Sequence, residues 1–427
     1  MKSIASYIEE LNSDVYKDRL FDIYLDETRL NYQKERYISA LKDFSEIFGD
    51  KEVEVYSAPG RSEIGGNHTD HQHGEVLCAS INDDAIAVVS PTGDKVVRVL
   101  SKGYDMITVD LSDLSKDQSE EGTTKALIKG VLSQCVRLGF KVDGFDAFIT
   151  SDVLSGSGLS SSAAFETIIG TIVSGLFNDM GIDAIKIAMI GQVAENDYFG
   201  KPCGLMDQMA CSVGSLCHID FCDPKAPKVE RVEFDLHGAG YSLVITDTKG
   251  SHADLTDDYA AVPFEMKSVA GFFGKDVLIE VDESEVMKAA SDIRKSCGDR
   301  AFLRAVHFYE ENKRVKKEVT ALRAGDIEGF LATVKASGDS SYKYLQNVFT
   351  TKKVNEQNVS IALMLSELNL SDNGVCRVHG GGFAGTIQAF VKNEAVDSYK
   401  AQMDAIFGEG ASNVLQIRKY GGIKVLY

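Results

Sequence analysis

The chain has 427 residues, of which 44% are hydrophobic and 26% charged, and six are proline, so it is not a disordered or collagen-like polypeptide. At roughly 100 to 200 residues per domain it holds two domains, or three. Lys plus Arg number 45 against 64 Asp plus Glu, and a formal charge of −19 repels nucleic-acid phosphates and anionic membranes at long range.

The N-terminal stretch MKSIASYIEELNSDVYKDRL lacks the apolar core of a secretion signal, and no run approaches the ~18 apolar residues of a membrane span. A cytoplasmic protein with neither a nucleic-acid nor a membrane partner is expected. The eight cysteines are scattered, without a CxxC pair, and read as reduced packing residues. Cys217, His218 and Cys222 have no second ligand pair at zinc-finger spacing.

In chain order, Ile4, Ile8 and Leu11, then Tyr37, Leu41, Phe44 and Phe48, recur at helical spacing and predict a helical preamble. From Val53 the texture changes to short β-branched or aromatic runs (VEVYSAP, DAIAVVSP, KVVRVLS, FDAFIT) separated by turn residues, which predicts sheet. One helix is predicted over 160–177, with Ala164, Ile168, Ile172 and Leu176 on one stripe, and another begins after Asp183 as its cap. The DPKAPK turn cluster marks a domain boundary, giving 1–225 and 226–427. Beyond it, strand-like FDLHGAGYSLVITDT leads into a helical stretch over 257–334 and a Gly-rich strand signal near 380. This mixed order favours two α+β domains over one doubly wound sheet.

Four stretches carry chemistry. Ala58 to Gly74, APGRSEIGGNHTDHQHG, reads as a loop with polar side chains crowded among glycines. Either His68, Asp70, His71 and His73 form a metal cluster, or Asp and His grip a polyhydroxylated ligand while Arg61 neutralises phosphate. The remaining histidines are isolated in the sequence, which favours the second reading. Ser155 to Ala164, SGSGLSSSAA, follows a strand and opens a helix. Its glycines, hydroxyls and helix N-terminus suit a phosphate. In Gly191 to Gln208 a helix delivers Glu195 at its end and a Gly-Pro-Gly loop presents Asp207. Beside a phosphate cradle, one carboxylate suits Mg²⁺ and the other an attacking hydroxyl. Gly374 to Thr386 is a Gly-rich turn before the strand-like IQAFV, able to approach a ligand or another loop closely.

Taken together and in this order, APGR…NHTD, SGSGLSSSAAFE, AENDYFGKPCGLMDQ and CRVHGGGFAGT resemble the motifs of the GHMP kinase superfamily, and within it the galactokinases. The resemblance implies an α+β, two-domain GHMP kinase fold. An N-terminal ribosomal-S5-domain-2-like α/β domain and a C-terminal ferredoxin-like domain would enclose the active site between them. It also implies ATP-dependent phosphorylation of the anomeric hydroxyl of galactose, with ATP and Mg²⁺ as cofactors; a monomer is expected. Residue by residue, Asp207 matches the catalytic base, and Arg61 the cation that assists it. Asn67, His68, Asp70, Gly204 and Tyr259 match sugar-binding positions. Gly156, Ser157, Gly158, Leu159, Ser160, Ser161 and Ser162 match the phosphate loop, and Ser162 with Glu195 the metal ligands.

The departures bear on the sugar. Asn67 stands where the family carries Glu, Glu63 replaces the motif's Asn, Gly65 its Ile, and His379 the Thr before the glycines. A lost carboxylate at position 67 is expected to relieve repulsion of an acidic sugar such as galacturonate by roughly 1 to 4 kcal/mol at ~4 Å. N-acetylgalactosamine, L-arabinose or fucose are other substrates to be weighed, as is a non-catalytic sugar and ATP sensor. The intact serine run, Asp207 and Arg61 argue against the sensor.

Overall fold

The computed structural model describes residues 1–153, 159–251 and 255–427. Its strands fall into two sheets. The first is built on two long neighbours, β2 (Glu52–Gly65) and β3 (Glu75–Pro91), after a short β1 (Lys2–Ser3). It continues through β4 (Val96–Ser101), β5 (Ile107–Asp110) and β6 (Phe145–Ser151) in the order β1-β2-β3-β6-β4-β5. The C-terminal half of β3 pairs with β6, while its N-terminal half pairs with β7 (Leu216–Asp220), which carries β8 (Lys228–Val232). The second sheet holds β9 (Tyr241–Asp247), β10 (Gly374–Val378), β11 (Thr386–Lys392) and β12 (Ser412–Leu415) in the order β10-β11-β9-β12. The chain then returns, and β13 (Ile423–Leu426) pairs with β2 of the first sheet.

The helical preamble forms α1 (Ile4–Asn12), α2 (Lys17–Tyr24) and α3 (Leu30–Phe48). The predicted stripe of α3 is buried at Tyr37, Leu41 and Phe44, which pack with Val53, Val55, Ile86 and Val88 on one face of the sheet. The other face is covered by α4 (Thr124–Arg137), α5 (Ser161–Asn178) and α6 (Ala184–Val193), through Ile128, Ile168, Ile172 and Ile187. Asp183 caps α6 as expected, its carboxylate accepting from the Ile185 amide. A single π-helical turn (Ala194–Phe199) extends α6, and α7 (Met206–Val213) follows. In the second half, α8 (Thr256–Phe272), α9 (Glu283–Lys288) and α10 (Ala290–Ser296) lead to the 26-residue α11 (Asp299–Ala324) and to α12 (Ile327–Ser340). Then come α13 (Asn358–Leu370) and α14 (Val396–Phe407). Val315, Val319 and Leu322 of α11 and Phe330 of α12 join Ile64 and Leu77 of the first sheet and Leu243 and Phe390 of the second in one core.

The stretch from Ala58 to Gly74 is not the loop expected from its composition. Through Gly65 it is strand β2, paired with β3 across register shifts at Pro59/Arg61 and Glu63/Gly65. Beyond the first shift the other edge of β2 is met by side chains of the second sheet. Arg377 donates from Nη1 to the Ile64 carbonyl at 2.5 Å, and Gln388 donates from Nε2 to the Glu63 carbonyl at 2.9 Å. Side chains thus satisfy backbone groups that a neighbouring strand would otherwise engage.

A buried ionic cluster ties the preamble, the first sheet and the C-terminal return together. Asp84, fully buried, accepts from Arg36 at 2.6 Å, Arg418 at 2.9 Å, Tyr24 at 2.9 Å and the Ser57 hydroxyl. Burial alone would raise its pKa, but the two guanidinium groups outweigh that and hold it below the ordinary carboxyl value. Asp84→Ala, which strands two buried cations, is expected to cost about 3 to 5 kcal/mol, read as a lower urea midpoint. Because the folded pKa is depressed, the wild-type contribution is present above the ordinary carboxyl pKa and fades as pH falls through the folded one. The variant should therefore lose this part of the acid dependence.

Candidate active site

Past the first register shift of β2, Arg61 and Glu63 share a face of the strand, and both line a cavity of about 210 Å³. Arg61 is nearly buried, and its backbone amide is anchored to the Leu159 carbonyl at 3.1 Å. Its guanidinium grips Asp207, in the first turn of α7, with Nε to Oδ1 at 2.7 Å and Nη2 to Oδ2 at 2.9 Å. This fork is the geometry for which a planar guanidinium is suited. Ser160 donates from Oγ to Asp207 Oδ2 at 2.5 Å. Burial would raise the Asp207 pKa, but the Arg61 charge and hydrogen bonds, then Ser160 and Lys201, bring it below the usual value. The Asp207 side chain is 34% exposed against 9% for Arg61, so the carboxylate is reached from the cavity while its counter-ion sits behind it.

The opposite wall comes from the turn after β2. Asp70 and His68 both line the cavity, with Gly204 across from Asp70. A Cβ at Gly204 would lie 2.3 Å from Asp70 Oδ2, so any larger residue there would displace this carboxylate from its present position. His68 has a positive φ of 61° and its Nε2 lies 3.1 Å from the Gly381 carbonyl. Burial, then the neighbouring His71, push its pKa down to about 4, so a neutral imidazole donates to that carbonyl. The metal-cluster alternative does not materialise: among the described residues no group of three or more His, Cys, Asp or Glu is arranged to hold an ion.

Two expected sugar-binding residues do not line the cavity. The Asn67 side chain is fully buried and committed to the protein. Its Nδ2 donates to Glu63 Oε1 at 3.0 Å and to the Gly380 carbonyl at 2.7 Å, and its Oδ1 accepts from Asn347 at 2.8 Å and Ser341 at 3.2 Å. Tyr259 supports the turn between β10 and β11 from beneath. Its hydroxyl donates to the Gly382 carbonyl at 2.6 Å, and its ring meets Phe383 edge-on at 5.3 Å. The carboxylate absent from position 67 is present at Glu63, whose Oε1 accepts from Arg377 at 2.6 Å as well as from Asn67. The expected relief of an acidic sugar is therefore not set by Asn67 alone: a second carboxyl group, its pKa raised by burial against the pull of Arg377, lines the cavity.

At the N-terminal end of α5, Ser162 donates from Oγ to Glu195 Oε1 at 3.2 Å, and Lys201 Nζ lies 3.0 Å from the same oxygen. Glu195 sits in the π-helical turn after α6 and is almost wholly buried. Gln208, next to Asp207 in the chain, donates to Glu195 Oε2 at 2.8 Å and to Glu166 Oε2 at 3.1 Å. Burial, then the Glu195 charge, push Glu166 well above the carboxylate range. Ser160 precedes the helix in a left-handed conformation, φ 56°, and this turns its hydroxyl toward Asp207. Leu159 is buried in the core, and Ser161 begins α5. Gly156, Ser157 and Gly158 lie outside the described residues.

Lys201, Gln208 and Arg377 belong to the conspicuous motifs, yet their types and spacing assigned them no task. Glu166, four residues after Ser162, reads as an ordinary helix acid until its burial is seen. Among the described residues no helix is long and apolar enough to cross a membrane.

Residues 42–91 match the galactokinase galactose-binding signature, and residues 126–215 match the GHMP kinases N terminal domain. A galactokinase of Actinobacillus pleuropneumoniae serotype 3 is 31% identical over 363 residues, covering 84% of this chain and 90% of the relative. One from Streptomyces coelicolor is 30% identical over 372 residues, covering 86% and 92%. Among solved structures, Lactococcus lactis galactokinase complexed with galactose aligns with a TM-score of 0.75 at 27% identity, over 91% of this chain and 99% of that one. A mevalonate kinase aligns at 0.61 with 13% identity, over 86% and 99%, a likeness of fold.

Removing the Arg61 charge should free the Asp207 carboxyl to titrate higher. In Arg61→Met, carbon-detected NMR of Asp207 is expected to show its titration about 1 to 3 pH units above wild type. No upward movement would mean that Arg61 does not hold the carboxylate ionised.

Proposed function

The chain belongs to the galactokinase family of the GHMP kinase superfamily, and we propose from its site geometry how it phosphorylates the anomeric hydroxyl of galactose with ATP. The observation that carries this reading is the fork of Arg61 on Asp207 at the cavity wall, with Ser160 on the same carboxylate. Asp207 is the base that receives the hydroxyl proton. Its low pKa suits the chemistry, because phosphoryl transfer runs through a loose transition state in which positioning and charge neutralisation do most of the work. Arg61 keeps Asp207 ionised and offsets negative charge that develops on the transferring group. His68, Asp70 and the backbone at Gly204 shape the sugar end of the cavity, while Asn67 and Tyr259 act one layer back, positioning Glu63 and the turn at Gly380 to Phe383.

The phosphates of ATP belong at the start of α5, whose first amides have no intrahelical acceptor and whose dipole favours anions. Gly156, Ser157, Gly158, Leu159, Ser160, Ser161 and Ser162 are assigned to that cradle. The convergence of Ser162 Oγ and Glu195 Oε1 fits Mg²⁺, a hard cation that takes oxygen ligands and fills its remaining positions with water and phosphate. When bound, the ion would supply further neutralisation of phosphate charge. Lys201, on the same Glu195 oxygen and 61% exposed, is free to move from the carboxylate to a phosphate.

Asp207→Asn is expected to lower kcat by roughly 10²- to 10⁴-fold while the calorimetric Kd for galactose stays near that of wild type. Chelation with EDTA should abolish ADP release, and added Mg²⁺ should restore it. Full kcat in Asp207→Asn would remove Asp207 from the reaction. Galactose binding without any ADP release by the wild type would replace the kinase reading with that of a sensor.

A further inference from the structure

Glu63 lines the cavity and is joined to Asn67, behind it, by a hydrogen bond. Both oxygens of a buried carboxylate need partners, and Glu63 satisfies only one internally. Its Oε1 is held by Arg377 and Asn67, whereas Oε2 has no hydrogen-bond partner among the described residues. Nor is Oε2 among the sealed and unpartnered side-chain atoms, so it opens onto the cavity that Glu63 lines. The surroundings are built to keep it there. Arg377, itself buried, is pinned by the carbonyls of Ile64 and Val378, and Gln388 holds the Glu63 carbonyl.

Arg61 and Glu63 are two residues apart on one strand face, about 6 to 7 Å at ~3.3 Å per residue. With Asp207 locked on Arg61 at the reacting end, that separation suits the far side of a hexose ring. Resting on the kinase reading above, we propose that Glu63 determines sugar specificity by accepting a hydrogen bond through Oε2 from one non-anomeric hydroxyl. Asn67 and Arg377 position it by occupying Oε1.

Glu63→Gln tests this sharply. Arg377 and Asn67 both donate, so the amide oxygen stays with them and an NH₂ group replaces the acceptor facing the cavity. ADP release by wild type and variant would be measured with galactose and with its 2-, 3-, 4- and 6-deoxy analogues. The ratio of kcat/KM for galactose over the analogue is expected to fall about tenfold or more at one hydroxyl position, chiefly through KM, and to be unchanged at the others. Ratios preserved at every position, with overall activity merely reduced, would make Glu63 a structural ion-pair partner and overturn the assignment. Should Glu63→Gln fail to fold, a crystal structure of the wild type with galactose decides. A sugar hydroxyl on Glu63 Oε2 supports the proposal, and its absence overturns it. A wild type that turns over none of these sugars would overturn the kinase reading itself, an outcome distinct from turnover with unchanged ratios.

Discussion

The site depends on a strand whose outer edge is completed by side chains. Beyond its first register shift β2 has β3 on one side, while on the other Arg377 and Gln388 of the second sheet donate to its carbonyls. That contact sets the depth at which Arg61 and Glu63 stand, and it welds the two sheets at the point where the cavity opens. The cavity wall is referred to this line: Asp207 through Arg61, Asn67 through Glu63, and the turn after β10 through Asn67 and His68. A backbone satisfied by buried guanidinium and amide groups is more specific than one satisfied by a further strand, because each donor has a single position from which it reaches.

Electrostatics follows the same layering. Asp207 is held low by a cation placed behind it, whereas Glu166, enclosed beside Glu195, is pushed high. Two carboxyl groups a short way apart thus differ in the cost of ionising, and the one facing the cavity is the one kept charged. Gln208 joins Glu195 to Glu166. The raised pKa of Glu166 means that this contact is made at the cost of little added negative charge beside Glu195.

Much of this was legible in the residues. The serine run, Asp207, Glu195 and Arg61 stood out because unusual types sat at short spacing beside a helix start, and the structure brings Arg61, Ser160 and Asp207 into contact. The continuation of β2 through Gly65 was not legible. Its glycines and charges have turn composition; pairing with β3 at Leu77 to Ser80 makes it a strand, and the side chains that meet its other edge, Arg377 and Gln388, lie some three hundred residues downstream. The burial of Asn67 was hidden for the same reason. Its partners Ser341 and Asn347 close over it only when α12 and the turn after it pack against β2. Local pattern reports which residues are chemically able; long-range packing decides which of them face the ligand.

The return of the chain to its first sheet has a consequence for how the protein is made. β13 pairs with β2, Arg418 closes the Asp84 cluster, and Tyr16 donates to the Tyr427 carbonyl at 2.6 Å. A chain synthesised only up to residue 400 therefore lacks the strand that covers the outer edge of β2 at Val55 to Ser57, and its buried aspartate lacks one of two cations. The full set of contacts in the first sheet therefore exists only when the C-terminal segment is in place. This makes the final few residues as much a part of the catalytic scaffold as the motifs that precede them.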